Sequence, residues 1–334
     1  MTFSTSPRRF LLITGLALAA TLLAIGSLLT GPTRFGSGEI VAALGGAGDP
    51  VLRAVLLELR LPRALLGLLI GGILGLGGAV LQGYLRNPLA EPSVLGTSNA
   101  AALGAVIALY FGLSQAQPLS LPLLAVTGAL IGLAPLMLLA GRAESPLSLI
   151  LAGIAVGTLA GAGISLALNL APNPFAAMEI MSWLMGSLED RSFAHLWLAL
   201  PCVAIGGSLL LWNGRALDAL TLGEDAAQSL GIDLRTLRWR ILGGTAIGVG
   251  GAVAVSGAIG FVGLIVPHLI RPLTDRTPSS LLLPSALGGG ALLSAADIAV
   301  RLIPTDIELR LGVLTALLGV PVFLYHLARE RRIW

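Results

Sequence analysis

Twenty basic and seventeen acidic side chains, three histidines and one cysteine are the residues with which this 334-residue chain could do chemistry, and all twenty basic residues are arginine. Their types and spacing restrict that chemistry sharply. A phosphate-binding loop of the Walker A type requires its lysine, so the chain is not by itself a P-loop ATPase and any nucleotide falls to a partner. Cys202 is single and lies in an apolar stretch, which leaves no intrachain disulfide and no two-cysteine metal site. His195, His268 and His326 are scattered, so metal catalysis has little support, and a lone His268 after Pro267 does not define a haem axial site. The run Gly96, Thr97, Ser98, Asn99 offers Ser98 as a nucleophile for an intramembrane hydrolase, but no histidine is spaced to act as its base. Ser98 reads instead as a helix-packing residue. Asp297 is the main acid within apolar sequence, thin support for an ion-coupled secondary transporter, which is the alternative reading.

The elements that must position these residues follow from composition. With 55% hydrophobic residues, 11% charged residues, 44 glycines and 19 prolines, the chain lies far outside soluble globular usage and reads as an integral membrane protein. The net charge of +3 does not indicate nucleic acid, because the arginines occur in small groups between apolar runs rather than on one face. A helix needs roughly 20 apolar residues to cross the hydrocarbon core. Uncharged runs near that length occur at Phe10–Thr30, Ala64–Leu85, Val94–Leu113, Leu119–Gly141, Leu147–Ala171 and Phe193–Trp212. Ile241–Ile270 has no Asp, Glu or Arg, and at about 45 Å it is too long for one helix. It splits near Gly257 and Gly260 into a full helix and a short one ending at Pro267. Spans at Ser279–Ala296 and Leu311–Leu327 complete an expected ten.

Ten spans leave both termini on one side. Arg8 and Arg9 precede the first span and Arg329, Arg331 and Arg332 follow the last, so the positive-inside rule places both termini in the cytoplasm. On that topology Arg34, Arg53, Arg60, Arg63, Arg191, Arg301 and Arg310 lie outside and the other thirteen arginines inside. The first apolar run is longer than the roughly 7 to 15 residues of a signal peptide core and lacks a clear cleavage site, so it is read as retained.

Glycines spaced by four, Gly67, Gly71 and Gly75 and again Gly153, Gly157 and Gly161, place two small-residue stripes on helix faces and predict close helix packing. A weak likeness between the glycine-rich spans at Gly71 and Gly250 hints at an internal repeat. Between Pro172 and Arg191 an amphiphilic piece sets Met178, Ile180, Trp183, Leu184 and Met185 against Glu179, Glu189 and Asp190, as a short helix near the mouth of a pathway would. Asn213–Arg240 is the longest polar stretch, cytoplasmic by the count above. Its Leu217, Leu220, Leu222 and Leu230 suit short helices that dock on another protein, against the plainer reading of a solvated loop.

Four blocks are specific enough to carry a resemblance. They are Leu59, Arg60, Leu61, Pro62, Arg63; then Arg86, Asn87, Pro88, Leu89, Ala90, Glu91, Pro92 with Leu95 and Gly96; then Leu222, Gly223, Glu224, Asp225, Ala226, Ala227 leading to Leu230 and Gly231. The last runs from Gly257 through Phe261, Val266 and Pro267 to His268, with Leu283, Pro284 and Ala295, Ala296, Asp297 beyond it. In order and spacing the chain resembles the permease subunits of binding-protein-dependent ABC importers for iron complexes and cobalamin. The resemblance implies an all-α, polytopic membrane protein of about ten helices with the type II importer permease fold, one permease domain over residues 1–334. It also implies a homodimer, two ATPase subunits holding ATP and magnesium on the inside, and one periplasmic binding protein outside.

By position, the resemblance places Arg60, Arg63 and Arg301 in outer pockets that receive acidic residues of the binding protein, a role suited to the planar guanidinium fork. The alternative is local pairing, Arg60 with Glu58 or a nearby acid and Arg301 with Asp297 at helical spacing. Leu222, Gly223, Glu224, Asp225 and Gly231 fall in the coupling segment, about 213–240, that sits in a cleft of the ATPase. Asn87 and Leu89 match a cytoplasmic gate, although Asn87 before Pro88 also suits a helix-ending cap. Arg142–Ser148 corresponds to a second gating segment, where Pro146 and Leu147 depart from the small hydroxyl residues of the family. Thr274–Pro278 departs from it as well.

Overall fold

The computed structural model describes residues 7–31, 35–46, 48–140, 146–303 and 309–330, and among these residues every regular element is helical. Helix α1 (Pro7–Leu29) is followed by the short α2 (Ser37–Leu44) and α3 (Pro50–Ala54). A π-helical turn, Val55–Arg60, then runs without a break into α4 (Leu61–Tyr84). The cause is local: Pro62 has no N–H for the carbonyl four residues earlier, and the helix widens so that the Leu61 amide reaches back to Leu56. A 3₁₀ turn, Pro92–Leu95, leads into α5 (Thr97–Tyr110), α6 (Leu113–Ala116), α7 (Ser120–Ala140), α8 (Pro146–Asn169) and α9 (Pro174–Leu184). The chain continues through α10 (Phe193–Leu211), α11 (Gly214–Leu220), α12 (Glu224–Ser229), α13 (Leu234–Ser256), α14 (Val262–Ile270), α15 (Pro278–Leu302) and α16 (Leu311–Glu330).

Among the described residues seven helical runs are long and apolar enough to cross a membrane, and α5, α14 and α16 are shorter apolar helices. The ten spans read from the sequence correspond in order to α1, α4, α5, α7, α8, α10, α13, α14, α15 and α16. The expected break between α13 and α14 is present. Gly257 (φ +70°) stops α13, and Phe261 (φ +68°) starts α14 from a left-handed conformation rare for a bulky residue.

Helices α4, α13 and α15 are mostly buried, whereas α1, α7, α8 and α10 turn leucine and isoleucine outward, as at Leu11, Ile131, Leu159 and Ile205. A rim exposing apolar side chains suits a lipid surround, where small-residue contacts rather than hydrophobic burial hold helices together. The first glycine stripe behaves so. A methyl group at Gly71 would collide with the carbonyl of Gly289, one at Gly75 with that of Ser285, and one at Gly78 with that of Gly263. The second stripe does so only in part: Gly153 and Gly157 clasp the Val94–Gly96 turn, but Gly161 faces open space.

Helix α14 carries Pro267, which cannot donate to the carbonyl of Gly263 four residues back. Gln82 of α4 fills that gap: its Nε2 donates to the carbonyls of Gly263 and Leu264, each at 3.3 Å, and its Oε1 accepts from Arg271 at 2.8 Å. An amide in an apolar span is thereby satisfied, and it fixes α14 to α4.

Candidate functional site

At one end of the bundle the ends of α1 and α15 meet the start of α4, and there Arg60, Arg63 and Arg301 converge. Asp297, 2% exposed, is shared by two of them. Arg63 approaches it at 2.9 Å through both Nε and Nη2, and Arg301 at 2.6 Å through Nη2. Arg301 also donates to the carbonyls of Ser27 and Thr30, at 2.9 and 2.8 Å. Arg60 donates to the Leu28 carbonyl at 3.1 Å, and its guanidinium lies 5.1 Å from the ring centroid of Phe35. These carbonyls belong to the last turn of α1, which has no further helical donors. The local pairing of Arg301 with Asp297 is therefore present, and Arg60 serves α1.

The opposite end carries α11 and α12, where a partly buried connection projects an exposed turn. Gly223 has φ +103° and ψ 162°, a conformation essentially reserved for glycine, and Gly231 has φ +82°. Leu222 (69% exposed) and Leu230 (64% exposed) stand outward beside the exposed Asp225, while Ala227 is buried. Apolar side chains displayed on a polar projection mark a contact surface. A cleft of about 570 Å³ opens beside α12, lined in part by Met137, Glu224, Gln228, Asp233 and Arg235. The Asp233 carboxyl is held below its ordinary range, chiefly because the Thr236 hydroxyl donates to it, and it caps α13 through the Arg235 amide.

Two of the residue sets singled out by sequence touch one another here. Arg86, which takes φ +48° where α4 ends, lies 3.9 Å from Glu224 of α12. Asn87 follows it. Its Oδ1 accepts from the Leu89 amide at 2.9 Å and its amide reaches the Gln82 carbonyl, so the side chain makes a local turn while Leu89 is 42% exposed. Of the second gating segment, residues 142–145 lie outside the described residues, and Pro146, Leu147 and Ser148 open α8.

One functional candidate, Glu91, was quoted in a sequence block but given no role of its own. Glu91 belongs to a loop between spans, yet the loop enters the bundle. Glu91 lines a cavity of about 80 Å³ with Leu74, Ser98, Asn99 and Phe261. Its carboxylate accepts from the Ser93 hydroxyl and faces the backbone amide of Phe261. Asp297 is buried among the helices as expected, and Glu91 is a second acid that a loop brings between them. The amphiphilic helix α9 also splits differently from its sequence grouping. Ile180 is buried against Val106 and Leu109, while Met178, Met181 and Met185 are exposed on the opposite face.

Leucine turned outward on α1, α7, α8 and α10, with a basic cluster at one end and an acidic, leucine-bearing turn at the other, suits a chain embedded in a membrane. The model of the FecCD transport family matches residues 16–329, and the chain belongs to that family. It is 41% identical over 295 residues to the vitamin B12 import system permease protein BtuC of Vibrio cholerae, covering 88% of each chain. It is 39% identical over 292 residues to the uncharacterized ABC transporter permease protein YvrB of Bacillus subtilis, covering 86% of this chain and 82% of that one. Among solved structures it superimposes on a metal-chelate type ABC transporter in an inward-facing conformation, with TM-score 0.86, 32% identity, and 95% and 98% of the two chains covered.

Proposed function

We propose that this permease, as a homodimer, moves a metal chelate into the cytoplasm by alternating access, driven by ATP hydrolysis in two partner subunits. The observation that carries the reading is the near-complete match in sequence and fold to metal-chelate and vitamin B12 permeases. Cobalamin is the first cargo to test, because relatives 37 to 41% identical bear that name; ferric siderophores and haem are the other arms. The cluster of Arg60, Arg63 and Arg301 faces the outside and receives acids of a periplasmic binding protein. Leu222, Gly223, Glu224, Asp225 and Gly231 meet the ATPase, and Asn87 and Leu89 narrow the inner end of the pathway. The chain sits in the bacterial inner membrane with both termini in the cytoplasm. A mostly apolar pathway would suit a bulky cargo delivered by another protein, since translocation requires weak binding along the way.

The test is uptake of isotope-labelled cobalamin, haem iron and a panel of ferric siderophores by a strain lacking only this gene, with and without the restored gene. Loss of one cargo, restored by the intact gene and not by an Arg60→Ala, Arg63→Ala form, supports both cargo and docking. Undiminished uptake of all of them counts against the reading.

A further inference from the structure

Helix α15 is held at both ends by carboxylates. At the α11 end its N-cap residue Thr277 provides no side-chain cap. The cap comes from elsewhere in the chain: Asp218 of α11 accepts the backbone N–H of Ser279 through Oδ1 at 2.9 Å. The two segments are also packed there. A methyl on Gly214 would touch Ser279, and one on Gly83 would touch both Pro278 and Leu217. At the far end Asp297 binds Arg63 of α4 and Arg301, which in turn holds the last turn of α1. The 25 residues of α15 span about 37 Å. Pro284 removes one bond within it, but the next turns, at Ser285 and Gly289, lie in backbone contact with Gly75 and Gly71, so α15 is backed by α4 along that stretch.

We propose that Asp218 is a positioning residue that ties the ATPase-facing segment to α15, making the α15–α4 pair the strut through which movement of α11 and α12 reaches the arginine cluster. This rests on the reading that an ATPase docks at α12. A carboxylate on a helix N-terminus is a suitable joint, because it satisfies an orphan amide and is favoured by the helix dipole while leaving the side chain free to pivot. The bond is the first element of α15 to receive displacement of α11.

The complex of this chain with its ATPase, in lipid nanodiscs, provides the test. In a Cys202→Ser background, Leu302→Cys places one thiol at the exposed far end of α15. Its rate of modification by a maleimide is measured with and without ATP, magnesium and orthovanadate. The parent is expected to change rate by about fivefold, the lower range of an ordinary coupling between sites. Asp218→Ala abolishes the change, and Asp218→Asn keeps it, because the amide oxygen still accepts from Ser279. Asp218→Ala with Thr277→Asp restores a cap to α15 without tying it to α11, and is expected to remain uncoupled. If that double variant regains the change, Asp218 only caps a helix and the proposal fails. It fails equally if Asp218→Ala behaves as the parent does. A parent that hydrolyses ATP with no change at Leu302→Cys overturns the strut alone, whereas a complex without ATP turnover overturns the reading beneath it too.

Discussion

Asp297 accepts from two guanidinium groups while almost wholly buried, so its removal takes their shared carboxylate from both. Asp297→Ala is expected to destabilise the folded chain by about 3 to 5 kcal/mol, the usual consequence of breaking one side of a buried pair. Thermal unfolding of the detergent-solubilised protein measures it, and a change within error of zero would show the cluster to be loosely held. Gln82 has a subtler role, since it supplies the donor that Pro267 denies to Gly263. Gln82→Leu should cost about 1 to 3 kcal/mol by stranding that carbonyl. Pro267→Ala returns an N–H to α14 and should recover part of the loss in the double variant. Strict additivity of the two substitutions would refute the assignment.

At the scale of elements, the same residue type has opposite worth on two helices. Gly71 meets the Gly289 backbone, so Gly71→Ala must push α4 and α15 apart. A loss of about 1 to 3 kcal/mol is expected from overpacking. Gly161 has nothing within 4 Å, and Gly161→Ala is expected to be neutral or to stabilise by up to about 1 kcal/mol through helix propensity. Parallel melting curves of the two variants decide it; equal losses would mean that both stripes are packing faces in the assembled protein. Spacing by four was legible in the sequence for both stripes, but only the facing backbone distinguishes them.

For the whole molecule, the arginine cluster and the α12 turn lie at opposite ends, with α15 running between Asp218 and Asp297. Replacing the Gly223–Asp225 turn with a three-residue alanine segment removes the left-handed glycine and both acids of α12, and should abolish uptake while leaving the purified permease folded. Transport assays beside a melting curve separate those outcomes, and uptake at the wild-type rate would show that the ATPase engages elsewhere. The surface that carries this turn was readable from composition, because a polar stretch with periodic leucines is unusual between apolar spans. The pairing of Arg86 with Glu224 was not, since nothing local to either residue indicates the other.

The amino-acid sequence by itself determined the membrane environment and the order of the apolar helices. Those properties depend on hydrophobicity summed over roughly twenty consecutive residues and on charges between the runs. Tertiary structure decided which polar groups meet. Arg63 and Asp297 lie 234 residues apart, Glu91 leaves a loop to enter the bundle, and Asp218 caps a helix that begins 60 residues later. In an apolar environment each buried polar atom needs a partner. The apolar residues that fix the spans are nearly interchangeable, so they carry no record of which partner the packing will bring.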